Sequence, residues 1–278
     1  MTRGPGPSGS GRFCSPGLAA GYRSALPALA LAPAARTDPG PVRPANEDSV
    51  FASPRLLAVA DGVGGAAAGE VASAVVIDQL ILMDKSRLAG ELGTALEAAV
   101  RSGNASLGFV AGCRPAMAGM STTLTAVAIA DDGYAVANIG DSRAYLLRDG
   151  RLTQLTHDDS YVQALIDRGM LDPAAARTHP QRSIVLAALD GHPERTPALE
   201  RLEARLGDRL LLCSDGLSDY VDEAEIAASL AVGSRERSAE RLVELALAAG
   251  GRDNVSVVVA DAVERERPEA GWLPALET

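Results

Sequence analysis

Short apolar runs that stop at an aspartate recur along this chain. Residues 55–60 precede Asp61-Gly62, 134–139 precede Gly140-Asp141, and 209–213 precede Ser214-Asp215. Asp253-Asn254 in turn leads into 255–260. Runs this short, apolar and bounded by turn formers read as buried strands. Residues 145–147 and 152–155 flank Arg148-Asp149-Gly150-Arg151, the pattern of a hairpin with an Asp-Gly turn. Near the start, a first strand is expected around 28–36. Helical texture fills 70–84, 88–110, 161–168, 222–230 and 239–249. In the first of these, apolar residues at 71, 74, 75, 77, 80, 81 and 82 cover more than one face, which predicts a well-buried helix. Strands and helices come in groups and do not strictly alternate. That grouping predicts an α+β fold of stacked sheets with covering helices.

Composition removes several function classes. The chain has 278 residues, 47% of them hydrophobic, enough to bury a sizeable core. The formal net charge is −10 and no basic stripe is visible, which argues against nucleic acid as a partner. No run of 18 apolar residues occurs, so no membrane-spanning helix is expected. Cys14, Cys113 and Cys213 are odd in number and far apart, so they form no disulfide framework. They fit a reducing, cytoplasmic setting. His157, His179 and His192 lack zinc-ligand spacing. The segment 1–27 is rich in Gly, Pro and Ser and reads as a disordered extension. Its apolar part is broken by Arg23 and Pro27, unlike a cleaved leader. One domain is expected over 28–264, followed by a short tail, 265–278.

Asp61, Asp141, Asp215 and Asp253 share one context, a strand end beside Gly, Ser or Asn. Carboxylates converging from such positions repel one another unless a hard dication sits among them. With no His or Cys nearby, Mg²⁺ or Mn²⁺ is the natural occupant. Taken singly, each pair is also an ordinary turn. Residues 62–67 satisfy a loose dinucleotide fingerprint, but the acidic residue that motif needs falls at Asp78, inside a predicted helix.

Six segments carry a family resemblance. They are Arg43-Pro44-Ala45-Asn46-Glu47-Asp48-Ser49, Ala60-Asp61-Gly62-Val63-Gly64-Gly65 and Gly119-Met120-Ser121-Thr122-Thr123, then Ile139-Gly140-Asp141-Ser142-Arg143, Cys213-Ser214-Asp215-Gly216-Leu217-Ser218-Asp219 and Gly251-Arg252-Asp253-Asn254-Val255-Ser256. In this order and spacing the chain resembles the metal-dependent protein serine/threonine phosphatases, type 2C, in their bacterial form. The resemblance runs from about 35 to 262 and suggests a stand-alone catalytic domain.

It implies a four-layer αββα sandwich, two antiparallel sheets flanked by helices. It also implies two Mn²⁺ or Mg²⁺ ions and a weaker third. Carried over, Asp61 bridges two metals, the Gly62 carbonyl ligates one, and Asp215 and Asp253 hold the other. Asp141 joins Asp215 in the third site. Glu47 and Asp48 orient water, Arg43 clamps the phosphate, and Asp219 and Asn254 support the ligands. The implied reaction is hydrolysis of phosphoserine and phosphothreonine in proteins, opposing Ser/Thr kinases, by a monomer. Residues 156–190, helical and polar, resemble the flap of bacterial members. Val63 stands where many eukaryotic relatives carry His, which leaves the proton donor open. Two rival readings are a catalytically weak phosphoprotein-binding regulator and a dedicated anti-anti-sigma-factor phosphatase. A lost ligand aspartate would mark the first, and none is missing. The intact Arg43–Asp48 motif and the flap favour the kinase-opposing type over the second.

Overall fold

The computed structural model describes residues 29–63, 68–85, 91–130 and 133–265. The expected extension, 1–27, and all of the tail beyond Arg265 lie outside the described residues. Two five-stranded antiparallel sheets stack face to face. The first runs in the order β1 (Leu29–Asp38), β12 (Val255–Glu264), β11 (Arg209–Cys213), β8 (Arg143–Arg148), β9 (Arg151–Gln154). The second runs β10 (Ala198–Leu202), β7 (Gly133–Ile139), β6 (Leu124–Ala130), β3 (Leu56–Ala60), β2 (Ser49–Ala52). A two-stranded ribbon, β4 (Gly62–Val63) with β5 (Ser121–Thr122), extends from the second sheet's end.

The side-chain period of two explains why the central strands are apolar throughout. In β3 every residue is buried. Leu57 and Val59 face the other sheet, where Leu210 and Leu212 of β11 and Val258 of β12 meet them. Leu56, Ala58 and Ala60 face outward onto α1 (Gly69–Lys85) and α2 (Leu92–Cys113). Across the sandwich, Leu211 and Cys213 pack with Val257 and Val259 against α5 (Asp215–Ser218), α6 (Glu223–Ala231) and α7 (Arg235–Ala248). The result is the αββα arrangement, with each sheet covered on both faces. The paired ends of β1 and β12, Leu29 opposite Glu264, bring the two ends of the described chain together. Pro33 is accommodated because β1 is an edge strand.

Several expectations shift. In α1 the buried residues Ala72, Val76, Ile77, Leu80 and Met83 form one helical face, and Leu82 is exposed. α7 begins four residues before the apolar periodicity does, because Ser234 caps it by accepting the Arg237 N–H. The hairpin turn is as expected: Asp149 and Gly150 both take positive φ, 51° and 77°, which a two-residue turn of matching twist requires. Strands β2, β6 and β10 had no strand signal assigned to them. The dinucleotide reading fails on topology, since β4 pairs antiparallel with β5 and Asp78 lies in α1. The expected helical flap, 156–190, condenses to two short helices, α3 (Tyr161–Asp167) and α4 (Pro173–Ala176). Gly169, with φ 67°, and Pro180 interrupt the rest.

Candidate metal centre

Both sheets deliver carboxylates to one end of the sandwich. Asp48 immediately precedes β2 and Asp61 follows β3 in the second sheet. Asp215 follows β11 and Asp253 precedes β12 in the first. Asp141 lies in the link from β7 to β8, which crosses between the sheets. The charges sense one another directly. Asp61 is destabilised as an anion by burial and then by Asp48, Asp215, Asp141 and Asp253, so its carboxyl titrates well above the usual range. Asp215 is raised likewise, by burial and then by Asp141, Asp219, Asp253 and Asp48. Burial pushes Asp48 up to about 6, and burial with Asp158 and Asp219 pushes Asp141 up to about 7.

The backbone that carries Asp61 is fixed by hydroxyls. Its N–H donates to Thr123 Oγ1 at 3.1 Å, and its carbonyl accepts from Thr122 Oγ1 at 2.8 Å. Thr123 Oγ1 lies 2.8 Å from Ser142 Oγ, so the Asp61 and Asp141 segments share a buried hydroxyl pair. Gly62 sits where no side chain fits: a Cβ there would lie 2.4 Å from the Gly69 carbonyl oxygen and 2.8 Å from that of Glu47. Its N–H donates to the Glu47 carbonyl at 3.2 Å. The start of α1 is thereby held against the Glu47–Asp48 segment.

Asn254 does the same from the other side. It accepts the Glu47 N–H at 2.9 Å and donates to the carbonyls of Pro39 and Ala45. Ser214 Oγ donates to Asp48 Oδ2 at 2.9 Å. Arg43 pairs with Asp253, Nη2 to Oδ2, at 2.7 Å, and that bond raises its pKa. Asp219 pairs with Arg182 of the flap at 3.2 Å. All the residues expected from the sequence thus gather at this end of the fold.

Others were not foreseen. Thr122, Thr123, Ser142 and Ser214 lie inside the motifs but had no role assigned. Arg143 forks onto buried Asp158, with Nε and Nη2 at 2.6–3.0 Å from its oxygens. Asp158 is also the foremost charge neighbour of Asp141. Nothing local in the sequence marks Asp158.

The residues fit divalent metal. Asp48 Oδ1 and Asp215 Oδ1 are buried without a hydrogen-bond partner, and an orphaned carboxylate oxygen amid like charges calls for a cation. Among the described residues, no group of three or more Asp, Glu, His or Cys side chains is drawn close enough to hold a metal ion by itself. Cys213 is no rival for the chemistry: burial pushes its thiol up to about 12.

The sequence matches the family described as protein phosphatase 2C over residues 45–249. It is 53% identical over 236 residues to the serine/threonine protein phosphatase PstP of Mycobacterium tuberculosis, covering 85% of this chain and 46% of that protein. This chain therefore spans about half the length of that relative. It is 35% identical over 246 residues to the serine/threonine phosphatase stp of Listeria innocua, covering 85% of this chain and 96% of that one. The solved catalytic domain of PstP in complex with two manganese ions superposes with a TM-score of 0.80 at 51% identity, covering 84% and 99% of the two chains. No helix among the described residues is long and apolar enough to cross a membrane. On its own sequence and on the fold it builds, the chain belongs to the protein phosphatase 2C family.

Proposed function

We propose that this chain hydrolyses phosphoserine and phosphothreonine in proteins, Ser/Thr kinases among them, at a centre of two Mn²⁺ or Mg²⁺ ions. The observation that carries this reading is the set of mutually repelling carboxylates with orphaned oxygens on Asp48 and Asp215. The two-manganese structure of the PstP catalytic domain supports it. Asp61, the Gly62 carbonyl, Asp215 and Asp253 would hold the pair. Asp141 with Asp215 would hold a weaker third ion. Bound there, the ions supply positive charge for the phosphoryl oxygens and lower the pKa of water at the site.

The chain's own groups do the rest. Asp48, anchored through Oδ2 by Ser214, keeps Oδ1 free to accept from a water and orient it. Glu47 lies beside it, its backbone fixed by Asn254. Arg43, released from Asp253, can fork onto phosphate oxygens. Val63 offers no proton for the leaving alkoxide. Water at the centre would then serve as the acid, with Asp141 positioning it. Asp219 and Asn254 hold their neighbours in place.

Hydrolysis of p-nitrophenyl phosphate and of a phosphothreonine peptide, each followed in chelator and after adding Mn²⁺, tests this. Activity should vanish in chelator and return with metal. Turnover that persists in chelator would refute the reading.

A further inference from the structure

A cavity of about 410 Å³ lies beside the carboxylates, between the flap helices and the α5–α6 turn. Asp219 lines it and is also a charge neighbour of Asp141 and Asp215. Val162 and Ile166 of α3, Pro173 and Ala176 of α4, and Val221 give it apolar walls. A volume of this order accepts a side chain of a bound peptide.

Two groups in its lining are chemically unfinished, and they are independent of each other. Ser218 is 6% exposed, and its Oγ is buried with no hydrogen-bond partner. Buried hydroxyls are nearly always bonded, so an orphan in a cavity wall points to something that occupies the cavity. Arg177, the residue that ends α4, is exposed; it makes no hydrogen bond or ion-pair contact among the described residues, and the charge it acts on is Asp219, which it helps hold as an anion.

The other charges in the wall are already committed. Arg143 is forked onto Asp158 and bonded to Tyr145. Arg182 is taken by Asp219 and by Tyr220, whose hydroxyl it meets at 3.2 Å and whose ring it covers at 5.5 Å. Glu223 is exposed to water, where its charge is screened. What remains without a hydrogen bond is a guanidinium, facing only the more distant charge of Asp219, and a hydroxyl, both able to donate. Their complement is an oxyanion on a short apolar stem.

We propose that this cavity binds a second oxyanion, carboxylate or phosphate, carried by the substrate peptide close to the phosphoryl group being removed. The proposal rests on the phosphatase reading above and adds a substrate preference to it. Arg177 is the main determinant and Ser218 a lesser one. Neither holds metal or the scissile phosphate.

The test compares phosphothreonine peptides that carry alanine, glutamate or a second phosphothreonine at flanking positions. Steady-state kinetics are measured for the Mn²⁺-loaded wild type, Arg177→Ala, Arg177→Lys and Ser218→Ala. Wild type should show a KM about tenfold lower for an acidic flank than for alanine, at similar kcat. Arg177→Ala should abolish that difference and leave the alanine-flanked peptide unchanged, Arg177→Lys should restore part of it, and Ser218→Ala should lose a smaller part. Added sodium sulfate separates a free anion from a substrate-borne one. It should raise the wild-type KM for the acidic peptide more than for the alanine peptide. An Arg177-dependent sulfate effect without any flank preference would overturn the proposal, as would a flank preference that survives in Arg177→Ala. Failure to cleave even the alanine-flanked peptide would sink the phosphatase reading itself.

Discussion

The sandwich and the flap are held by different forces. Strand β3 buries every residue, and its side chains alternate between two apolar clusters. The flap helices α3 and α4 bury none. Apart from Leu189 at its end, which is fully buried in the cluster on α1 and α2, the flap is tied down at a few polar points. At its root, Asp159 N–H donates to the Gly140 carbonyl at 2.9 Å and Asp159 Oδ2 accepts the Gly140 N–H at 3.0 Å, while Asp158 receives Arg143. In its middle Arg182 meets Asp219. At its end Leu189 and Thr122 exchange two backbone bonds, and Asn104 grips Gly191 and His192. Each tie lands on or next to a residue of the metal centre, or on the helix behind it. The sandwich supplies position through packing. The flap supplies a second wall through bonds that can be cut singly.

Substitution at Asp61 should give the largest effect and mark where the two regions meet. Asp61→Asn should lower phosphopeptide turnover by about 100-fold or more, on the scale of losing an interaction made directly with the reacting centre. In chelator the same change should raise the melting temperature, because it removes a charge that four neighbouring carboxylates oppose. Calorimetry in chelator, with a turnover assay in Mn²⁺, reads both signs; a lowered melting temperature would mean that Asp61 also holds the fold.

Next in size, Leu57→Ala in the layer between the sheets should cost about 2–5 kcal/mol of stability, measured by denaturant unfolding. A loss under about 1 kcal/mol would show that the layer collapses around the gap. Smallest is Arg182→Ala. The pair with Asp219 is about a quarter exposed on each side, so stability should change by no more than about 1 kcal/mol. KM for phosphopeptides should rise while hydrolysis of p-nitrophenyl phosphate holds. Equal losses on both substrates would place Arg182 with the sandwich machinery instead.

The sandwich was more legible than the flap for the same physical reason. Buried strands such as β3 and β11 announce themselves because their buried side chains, all of β3 and Leu210–Cys213 of β11, are apolar. β10, an edge strand with only Leu202 partly covered, carries no such mark. The strand-end aspartates were visible because turn formers flank them. Asn254 and Asp219 stood out as supports only through the family resemblance, and the pairings of Ser214 with Asp48 and Arg43 with Asp253 not at all, because they reach across 166 and 210 positions. The flap's root depends on Asp158, buried at 6% exposure, whose oxygens are met by the fork of Arg143 and by the Gln154 amide.

Because Asp48 and Asp61 ride on one sheet and Asp215 and Asp253 on the other, the gap between these carboxylates is set by how closely the sheets stack. The apolar layer of Leu57, Val59, Leu210, Leu212 and Val258 therefore acts as a spacer for an ionic site that it never touches. With ions bound as proposed, its volume would set the radius the carboxylates can span. Ion preference would then be adjustable from inside the core, by a methyl group added or removed there, with every charged residue left as it is.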